Sequence, residues 1–395
     1  MWLYNLGISL YAGGIRLAAL WHGKARLWSE GRRNIFERME AAVRPSDRIV
    51  WVHAASLGEF EQARPIIERL RAEHPEYKIL LTFFSPSGYE IRKNYEGADY
   101  VFYLPADTPS NARRFLDIVH PEIAIFIKYE FWINLLSELR RRKVRSYIVS
   151  AIFRRNSVFF RPYGAMWRQA LETFDTLFVQ NVESKRLLSE IGFDNVVVAG
   201  DTRFDRVAQI AAAAQRVETI ERFRGGGRLF VAGSTWGPDE EILLPLVNAN
   251  PDVKFVIAPH EMDEGRIAHL MRNAKGGAVR YTQCDAATRF DDVQVLVLDT
   301  MGMLSSVYGS ATWAYVGGGF GVGIHNTLEA ATFGLPIAFG PNYGKFKEAR
   351  DLVTLGAAGS VGNYEELNAW FVPLRDNEEF LQRPSRIAKD YTTRH

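Results

Sequence analysis

Two glutamates follow apolar runs of the sequence, at points where a strand would turn into the next helix. Glu59 ends the stretch His53-Ala-Ala-Ser-Leu-Gly-Glu, which comes directly after the apolar run at residues 49–52. In the first turn of a helix, a carboxylate can act as a general base toward a hydroxyl group or can simply favour the helix dipole. Glu130 follows the run at 123–127 and fits either a perturbed carboxylate at a strand end or a surface loop.

A glycine-rich segment in the second half predicts a nucleotide site. It reads Gly-Gly-Gly-Phe-Gly-Val-Gly over residues 317–323 and leads into His-Asn-Thr-Leu-Glu at 325–329. Backbone N–H groups exposed at a helix start bind phosphate. Glu329 lies three residues after Asn326, on nearly the same helical face, where a carboxylate can hold ribose hydroxyls.

Basic and aromatic residues alternate between positions 140 and 168. The mixture suits a lipid surface or a lipid-linked, phosphorylated acceptor. It also occurs in proteins that bind single-stranded nucleic acid, and it would equally describe a solvated helix followed by a core helix. The lipid interpretation is favoured because the N-terminus agrees with it.

The first 21 residues are mostly apolar but contain Arg16, and basic residues follow at Lys24, Arg26, Arg32 and Arg33. This pattern predicts an uncleaved membrane anchor, either a marginal span or an interfacial helix. The alternative is an ordinary helix packed on its own domain.

Composition limits the remaining classes of protein. The chain has 395 residues, enough for two domains, and a formal net charge of +2, which argues against a dedicated nucleic-acid binder. Its one cysteine, Cys284, permits neither a disulfide nor a cysteine-based metal site within the chain and fits a reducing compartment. The histidines are scattered and no Asp-x-Asp ends a predicted strand, so no metal site is predicted.

Strand and helix patterns alternate along the whole chain, with continuous apolar runs as in strands buried on both faces. The rhythm restarts after a polar helix near residues 205–225, which predicts two doubly wound parallel sheets. In such sheets ligands bind beyond the carboxyl ends of the strands, where the residues described above lie.

Taken together and in this order, the motifs resemble the 3-deoxy-D-manno-octulosonic acid (Kdo) transferases. The resemblance extends from the N-terminus to about residue 362. It depends on the stretch ending at Glu59 and on Ser-Pro-Ser-Gly at 85–88, Leu-Pro-Ala-Asp at 104–107, Gly-Ser-Thr at 233–235, Asp-Thr-Met-Gly at 299–302, and His-Asn-Thr-Leu-Glu at 325–329 followed by Gly-Leu-Pro at 334–336.

The resemblance implies an α/β GT-B fold, with two Rossmann-like doubly wound domains facing across a cleft and an N-terminal membrane-anchor helix. It implies a membrane anchor or interfacial helix at 1–33, an acceptor-binding domain at 34–206, and a CMP-sugar-binding domain at 207–395 whose last helix crosses back to the first domain. The implied enzyme is a metal-independent, inverting glycosyltransferase without a cofactor. It would move Kdo from CMP-Kdo to a lipid A precursor, as a monomer on the cytoplasmic face of the bacterial inner membrane, without nucleic acid.

The resemblance also assigns roles to residues of this chain. Glu59 would be the general base, Glu130 would assist near the transition state, and Arg203 stands where the family usually has a lysine. CMP would contact Gly233, Ser234, Pro259, His260, Met301, Gly302, Met303, Gly318, Asn326, Thr327, Leu328 and Glu329. The acceptor and membrane patch would comprise Ser56, Gly58, Arg154, Arg155, Phe159, Phe160 and Trp167.

Two departures from the family pattern bear on the donor site. His260 stands where the family usually has arginine after proline, and Met303 stands where it usually has glutamate. Two alternatives remain open. One is another GT-B enzyme that uses a UDP-sugar, either a transferase or an epimerase, and the other is a membrane-bound nucleotide-sugar binding module without turnover.

Overall fold

The computed structural model describes residues 2–394 and divides the chain into two compact units, Met1–Arg206 and Val207–His395. Each unit contains one parallel sheet of seven strands with helices packed around it. Helix α10 (Thr202–Ala213) runs through the boundary between the units.

The sheet of the first unit has the strand order β3-β2-β1-β4-β5-β6-β7. Its strands are β1 (Ile49–His53), β2 (Lys78–Phe83), β3 (Tyr100–Tyr103), β4 (Ile123–Ile127), β5 (Arg145–Ala151), β6 (Thr176–Val179) and β7 (Val196–Val198). The order reverses between β1 and β4, which pair in parallel from Val50 to His53. Chain segments that leave these two strands in opposite directions open a crevice at their carboxyl ends.

The sheet of the second unit repeats the pattern, with the order β10-β11-β9-β8-β12-β13-β14. Its strands are β8 (Leu229–Thr235), β9 (Lys254–Pro259), β10 (Ala278–Arg280), β11 (Val295–Val297), β12 (Trp313–Val316), β13 (Ile337–Phe339) and β14 (Ala358–Ser360). The reversal falls between β8 and β12. The short edge strands β10 and β14 were not predicted, because Ala-Val-Arg and Ala-Gly-Ser contain no apolar run.

The helices that surround the two sheets include a single turn, α15, and several of more than ten residues. In the first unit they are α1 (Trp2–Ala18), α2 (Gly23–Gly31), α3 (Ile35–Ala42), α4 (Leu57–Glu73), α5 (Pro86–Arg92), α6 (Pro109–Val119), α7 (Ile133–Arg142), α8 (Ala165–Leu171) and α9 (Val182–Ser189). In the second they are α11 (Glu218–Arg224), α12 (Gly237–Ala249), α13 (Glu264–Asn273), α14 (Leu304–Tyr308), α15 (Leu328–Ala331), α16 (Lys347–Leu355), α17 (Tyr364–Asp376) and α18 (Glu378–Arg394). Helix α18 packs on α15, α16 and α17; its predicted crossing to the first domain stays a prediction.

Helix α1 is bonded to the first unit at its N-terminal end. The Tyr4 hydroxyl donates to Asp107 at 2.6 Å, and Asn134 donates to the Asn5 side chain at 2.9 Å. Asp107 also accepts the backbone N–H groups of Asn134 and Leu135 at 2.9 Å, in the first turn of α7. The aspartate therefore connects α1 to the start of α7.

Several large apolar side chains of α1 are exposed. Trp2, Leu3, Leu10 and Leu17 are each more than 60% exposed, and so are Leu20 and Trp21 in the turn that follows. Within residues 2–394, no helix combines the length and the apolar character that crossing a membrane requires.

Candidate active site

Glu59 lies in the first turn of α4, at the carboxyl end of β1. Its Oε2 accepts both the backbone N–H and the hydroxyl of Ser56 at 2.9 Å, and this reciprocal capping starts the helix. Its Oε1 accepts no hydrogen bond from residues 2–394, so one oxygen remains available to a ligand. Both roles suggested by the sequence therefore coexist in the geometry, because one oxygen stabilises the helix while the other is left open.

Glu130 follows β4 and is buried, with 9% of its surface exposed. Its Oε2 accepts the indole N–H of Trp132 at 2.7 Å and contacts His53 Nε2 at 3.1 Å. A carboxylate removed from water needs such donors. The surface-loop interpretation of Glu130 is wrong, because the side chain points into the unit and is held by two aromatic residues.

A chain of hydrogen bonds reaches Glu130 from the interior of the sheet. Trp51 Nε1 donates to the Thr82 hydroxyl at 2.8 Å, and that hydroxyl lies 2.9 Å from His53 Nδ1. Trp51, His53 and Thr82 are fully buried. The indole can only donate, so the Thr82 hydroxyl accepts a hydrogen bond from Trp51 and can donate one to His53 Nδ1.

The same inventory assigns the histidine tautomer. Nδ1 lies close to both the hydroxyl and the carbonyl oxygen of Thr82, and Trp132 Nε1 lies 3.2 Å from His53 Nε2 but only 2.7 Å from Glu130. Because the shorter Trp132 bond is to Glu130, we infer that Nε2 carries a proton and donates it to Glu130, while Nδ1 accepts from the Thr82 hydroxyl. The opposite neutral tautomer would set the Nε2 lone pair against an ionised carboxylate. Trp51, Thr82 and His53 thus form a directed relay that ends on Glu130.

Glu59 and Glu130 are electrostatically coupled. Burial raises the pKa of Glu59, and the charge of Glu130 raises it further. The hydrogen bonds from Ser56 and the charge of Lys128 act in the opposite direction without cancelling the rise. A carboxylate with a raised pKa is a stronger base, and this suits it to accept a proton from a hydroxyl group.

Arg203 lies in the first turn of α10, beside Asp201. Its Nε and backbone N–H donate to Asp201 at 2.9 and 3.0 Å, and Gln62 of α4 donates to the same carboxylate at 2.7 Å. Burial works against ionisation of Asp201, but Arg203 and Gln62 still hold its pKa below the usual range. Because Gln62 and Glu59 share α4, Arg203 is positioned relative to the helix that carries the candidate base.

The predicted acceptor patch does not form one exposed surface. Phe159 is buried at 6% exposure, against Phe131 and Phe153, and Trp167 packs on Phe159 and on Tyr4 of α1. The assignment of Phe159 to a membrane surface is wrong, because aromatic contacts place it in the core. Phe160 is half-buried against the same core, and Arg155 forms an ion pair with Glu190 at 3.0 Å.

Other predicted members of this patch lie near the two glutamates. Ser56 caps α4, and Gly58 follows it in the first turn of that helix. Arg154 is close enough to Tyr129 to lower the pKa of its hydroxyl, against the larger raising effect of burial. Ser56, Gly58 and Arg154 thus remain candidates for acceptor binding, which stays a prediction.

In the second unit, three rings stack at the carboxyl ends of β8, β9 and β12. The His260 ring lies between Trp236 and His325, with centroid distances of 4.8 and 4.3 Å. Trp236 Nε1 donates to His325 Nε2 at 3.1 Å, so this nitrogen carries no proton. Burial, followed by the charge of His260, lowers the pKa of His325 and favours this neutral form.

The glycines that follow β12 allow close packing of the backbone, a role that the sequence did not predict. A Cβ on Gly317 would lie 2.2 Å from the Ser234 carbonyl oxygen, and one on Gly319 would lie 2.5 Å from Gly340 Cα. The N–H of Gly318 donates to buried Asp239 at 2.9 Å. An internal carboxylate therefore already accepts the Gly318 N–H, and the predicted contact between Gly318 and CMP stays a prediction.

Asn326 and Glu329 form the predicted pair at the start of α15. Asn326 donates to Glu329 Oε1 at 3.1 Å, and the Ser305 hydroxyl donates to Oε2 at 3.0 Å. Thr327 and Leu328 between them are buried, and the Thr327 hydroxyl has no hydrogen-bond partner among the described residues. The arrangement orients a carboxylate with both oxygens defined, as a ribose site requires.

The remaining predicted donor contacts lie at neighbouring strand ends. Gly233 and Ser234 end β8, and a Cβ on Gly233 would lie 2.2 Å from the Tyr308 hydroxyl. Pro259 ends β9. Met301 is 75% exposed, and Gly302 and Met303 follow it before α14.

Sequence reasoning missed four residues that support these sites: Trp51, Thr82, Trp132 and Trp236. Thr82 is a polar residue within an apolar strand, and a polar residue in such a run is itself a signal. Trp236 follows β8 directly, Trp132 lies in the segment between β4 and α7, and their N–H groups need acceptors when buried. These two signals were available in the sequence.

Solved structures with similar architecture define the fold class. UDP-GlcNAc 2-epimerase from Neisseria meningitidis bound to UDP-GlcNAc matches with a TM-score of 0.60 at 15% identity, covering 88% of this chain and 97% of the epimerase. MurG from Acinetobacter baumannii matches with a TM-score of 0.54 at 13% identity, covering 87% and 95%. With two parallel-sheet α/β units, the chain has the GT-B fold.

Sequence comparison then shows which proteins the chain resembles. The model of the 3-deoxy-D-manno-octulosonic-acid transferase (kdotransferase) family matches residues 32–206. The 3-deoxy-D-manno-octulosonic acid transferase of Haemophilus influenzae is 25% identical over 89% of both chains. That of Bordetella pertussis is 28% identical over 88% of this chain and 84% of its own. The chain is therefore similar to Kdo transferases along most of its length.

Proposed function

We propose that the chain is an inverting glycosyltransferase that moves Kdo from CMP-Kdo to a hydroxyl group of a lipid A precursor in lipopolysaccharide core synthesis. The observation that carries the proposal is the pair of coupled carboxylates at the β1 and β4 strand ends, in the region that matches the family model. Similarity to Kdo transferases supports the donor sugar, and the geometry supports the assignment of the base.

Glu59 Oε1 would remove the proton of the acceptor hydroxyl. The oxygen would then attack the anomeric carbon of Kdo from the face opposite to the phosphate, and the bond between that carbon and the phosphate oxygen would break. CMP leaves with the bonding electrons, and the configuration inverts. Glu130 and Arg203 would act beside the reacting atoms, Glu130 as a fixed negative charge that keeps Glu59 basic and Arg203 as a positive charge for the donor.

The second unit would hold CMP. Glu329 would accept ribose hydroxyls, because Asn326 and Ser305 already orient its carboxylate. His260, held between Trp236 and His325, takes the position of the usual arginine beside the donor. The proposed mechanism uses neither a metal nor a cofactor. We also propose that the protein acts as a monomer.

The exposed apolar residues of α1 support a location at a lipid surface. Six Trp and Leu side chains along α1 and its following turn are each more than 60% exposed, which would be costly in water and favourable in the interface of a bilayer. The proposed location is the cytoplasmic face of the inner membrane, with α1 lying in the surface.

The proposal is tested by transfer from CMP-Kdo to a tetra-acylated lipid A precursor, with wild type, Glu59→Gln and Glu73→Gln. Glutamine keeps an oxygen that can cap α4 but cannot accept the proton, so transfer should fall by about 10²–10⁴-fold. Glu73, at the exposed end of the same helix, is the matched control and should leave transfer unchanged.

Three other outcomes would contradict the proposal. Full activity of Glu59→Gln would exclude it as the base. Transfer from a UDP-sugar, with none from CMP-Kdo, would establish the alternative GT-B enzyme. Binding of CMP by wild type without transfer to any acceptor would establish a nucleotide-sugar binding module.

A further inference from the structure

A cavity of about 780 Å³ lies in the first unit, outside the site described above. Its walls come from the end of α1, from α2, from the start of α3 and from the segment after β3. Four arginines line it: Arg16, Arg26, Arg32 and Arg33. The mechanism proposed for sugar transfer uses none of them.

Arg32 is a partly buried cation that forms no ion pair with residues 2–394. Its side-chain nitrogens donate only to backbone carbonyl groups, those of Trp28, Phe84 and Leu104. Its guanidinium also lies 3.9 Å from the centre of the Trp28 ring. Burial lowers the pKa of Arg32 to about 9, while Tyr103 and Tyr11 act to raise it. An anion in the cavity would offset the cost of this partly buried charge.

The other three arginines are exposed and form no ion pair with residues 2–394. Glu30 and Glu37 also line the cavity, but Glu37 already pairs with Arg114 at 3.3 Å. Positive charge therefore prevails. Trp28 also lines the cavity, and its buried indole N–H has no acceptor among the described residues. A tryptophan N–H can only donate, so the missing partner is an acceptor.

The surroundings indicate what kind of anion fits. Leu20 lines the cavity and is 75% exposed, and it continues the exposed apolar residues of α1. A small inorganic ion would leave this apolar surface in water. An amphiphile would place its charged group against the arginines and its chains along α1, which satisfies both surfaces at once.

We propose that this cavity binds the phosphate group of an anionic lipid, whose alkyl chains lie against the exposed face of α1. Guanidinium groups suit this ligand because their forked donors match phosphate oxygens. The proposal deepens the proposed function, since a phosphorylated lipid acceptor would be one such ligand. Binding itself does not depend on turnover.

The test measures binding of dihexanoyl phosphatidic acid by isothermal titration calorimetry, with dihexanoyl phosphatidylcholine and inorganic phosphate as the comparison ligands. Wild type should bind phosphatidic acid at least tenfold more tightly than either. Arg26→Gln and Arg33→Gln should each weaken binding by about tenfold, as expected for one charge-assisted hydrogen bond. The matched control is Lys24→Gln, which removes the same charge from α2 outside the cavity and should change binding less than twofold.

Each other outcome overturns the proposal. Equal affinity for inorganic phosphate would show a simple anion site, and equal affinity for phosphatidylcholine would show that the phosphate is not recognised through its charge. Equal losses in Lys24→Gln and Arg26→Gln would show unspecific surface attraction. These binding experiments need no CMP-Kdo. Their outcome is therefore independent of whether the protein transfers Kdo.

Discussion

The relay from Trp51 through Thr82 to His53 depends on the hydroxyl group of Thr82. In Thr82→Val the shape of the side chain is nearly kept, but the Trp51 N–H loses its acceptor and His53 Nδ1 loses its donor. His53 can then recover a bond only by moving its proton to Nδ1, which lies 3.1 Å from the Thr82 carbonyl oxygen. Nε2 would lose the proton that it donates to Glu130.

Two magnitudes follow from this change. The unpaired indole N–H in a fully buried site should lower the free energy of unfolding by about 1–3 kcal/mol. Loss of one of the two donors on the Glu130 carboxylate removes a hydrogen bond to a charged group, worth about 1.5–3 kcal/mol. If that bond stabilises the transition state more than the bound ground state, by this full amount, kcat should fall by roughly 10–100-fold.

The assay combines Kdo transfer, urea unfolding and ¹⁵N chemical shifts of the His53 ring. The matched variant is Thr82→Ser, which keeps the hydroxyl and should retain the Nε2–H tautomer and a kcat close to wild type. The reasoning is refuted if Thr82→Val keeps Nε2–H, or if its kcat equals that of Thr82→Ser while its stability has fallen.

Three further predictions concern charge and packing. Transfer should fall as pH drops through the raised pKa of Glu59, above the roughly 4.3 of an ordinary glutamate, and Glu130→Gln should move this acid limb of the kcat/KM profile to lower pH by removing a negative neighbour. Glu329→Gln should weaken CMP binding by about tenfold in calorimetry, because an amide accepts ribose hydroxyls less strongly. Gly319→Ala should lower the free energy of unfolding by about 1–3 kcal/mol in urea, since its Cβ would lie 2.5 Å from Gly340 Cα.

The controls for these variants come from the same units. An acid limb that stays in place in Glu130→Gln would show that burial alone sets the basicity of Glu59. Glu365→Gln, an exposed position on α17, should leave CMP binding unchanged, and an equal loss there would point to overall charge. Gly321→Ala has no contact closer than 3.7 Å and should be nearly neutral, so equal destabilisation would contradict the packing argument.

The charge coupling of Glu59 also has a consequence for stability. Its pKa is raised in the folded chain, so folding favours the protonated form. The stabilising contribution of this group is complete below the unfolded pKa and is lost as pH rises through the folded pKa. Glu59→Gln should therefore unfold at neutral pH with a free energy no lower than that of wild type.

The fold could be predicted because strands of parallel sheets are buried on both faces and read as unbroken apolar runs. Ile49-Val-Trp-Val and Ile123-Ala-Ile-Phe-Ile are such runs, and both form central strands. The edge strands β10 and β14 could not be found this way, because three half-buried residues with small or charged side chains leave no pattern.

The candidate site could be predicted only in part. Glu59 and Glu130 were found because each follows a strand, and strand ends of the same sheet meet at one edge. The hydrogen bonds that orient them could not be found, since Thr82 meets His53 through strand pairing across 29 residues of sequence. The misplacement of Phe159 has the same origin, because composition alone does not separate a surface aromatic residue from a core one.

The hydrogen bonds that join Asp107 to α1 and α7 fix the position of α1 relative to the buried carboxylate Glu130. The aspartate that accepts the Tyr4 hydroxyl also caps α7, and α7 begins directly after the segment that carries Glu130. A tilt of α1 would therefore strain the same turn that holds the buried carboxylate. If α1 lies in a lipid surface, as proposed, the protein sets the distance from that surface to the carboxylates. Only acceptor hydroxyls presented at that depth would then be within reach.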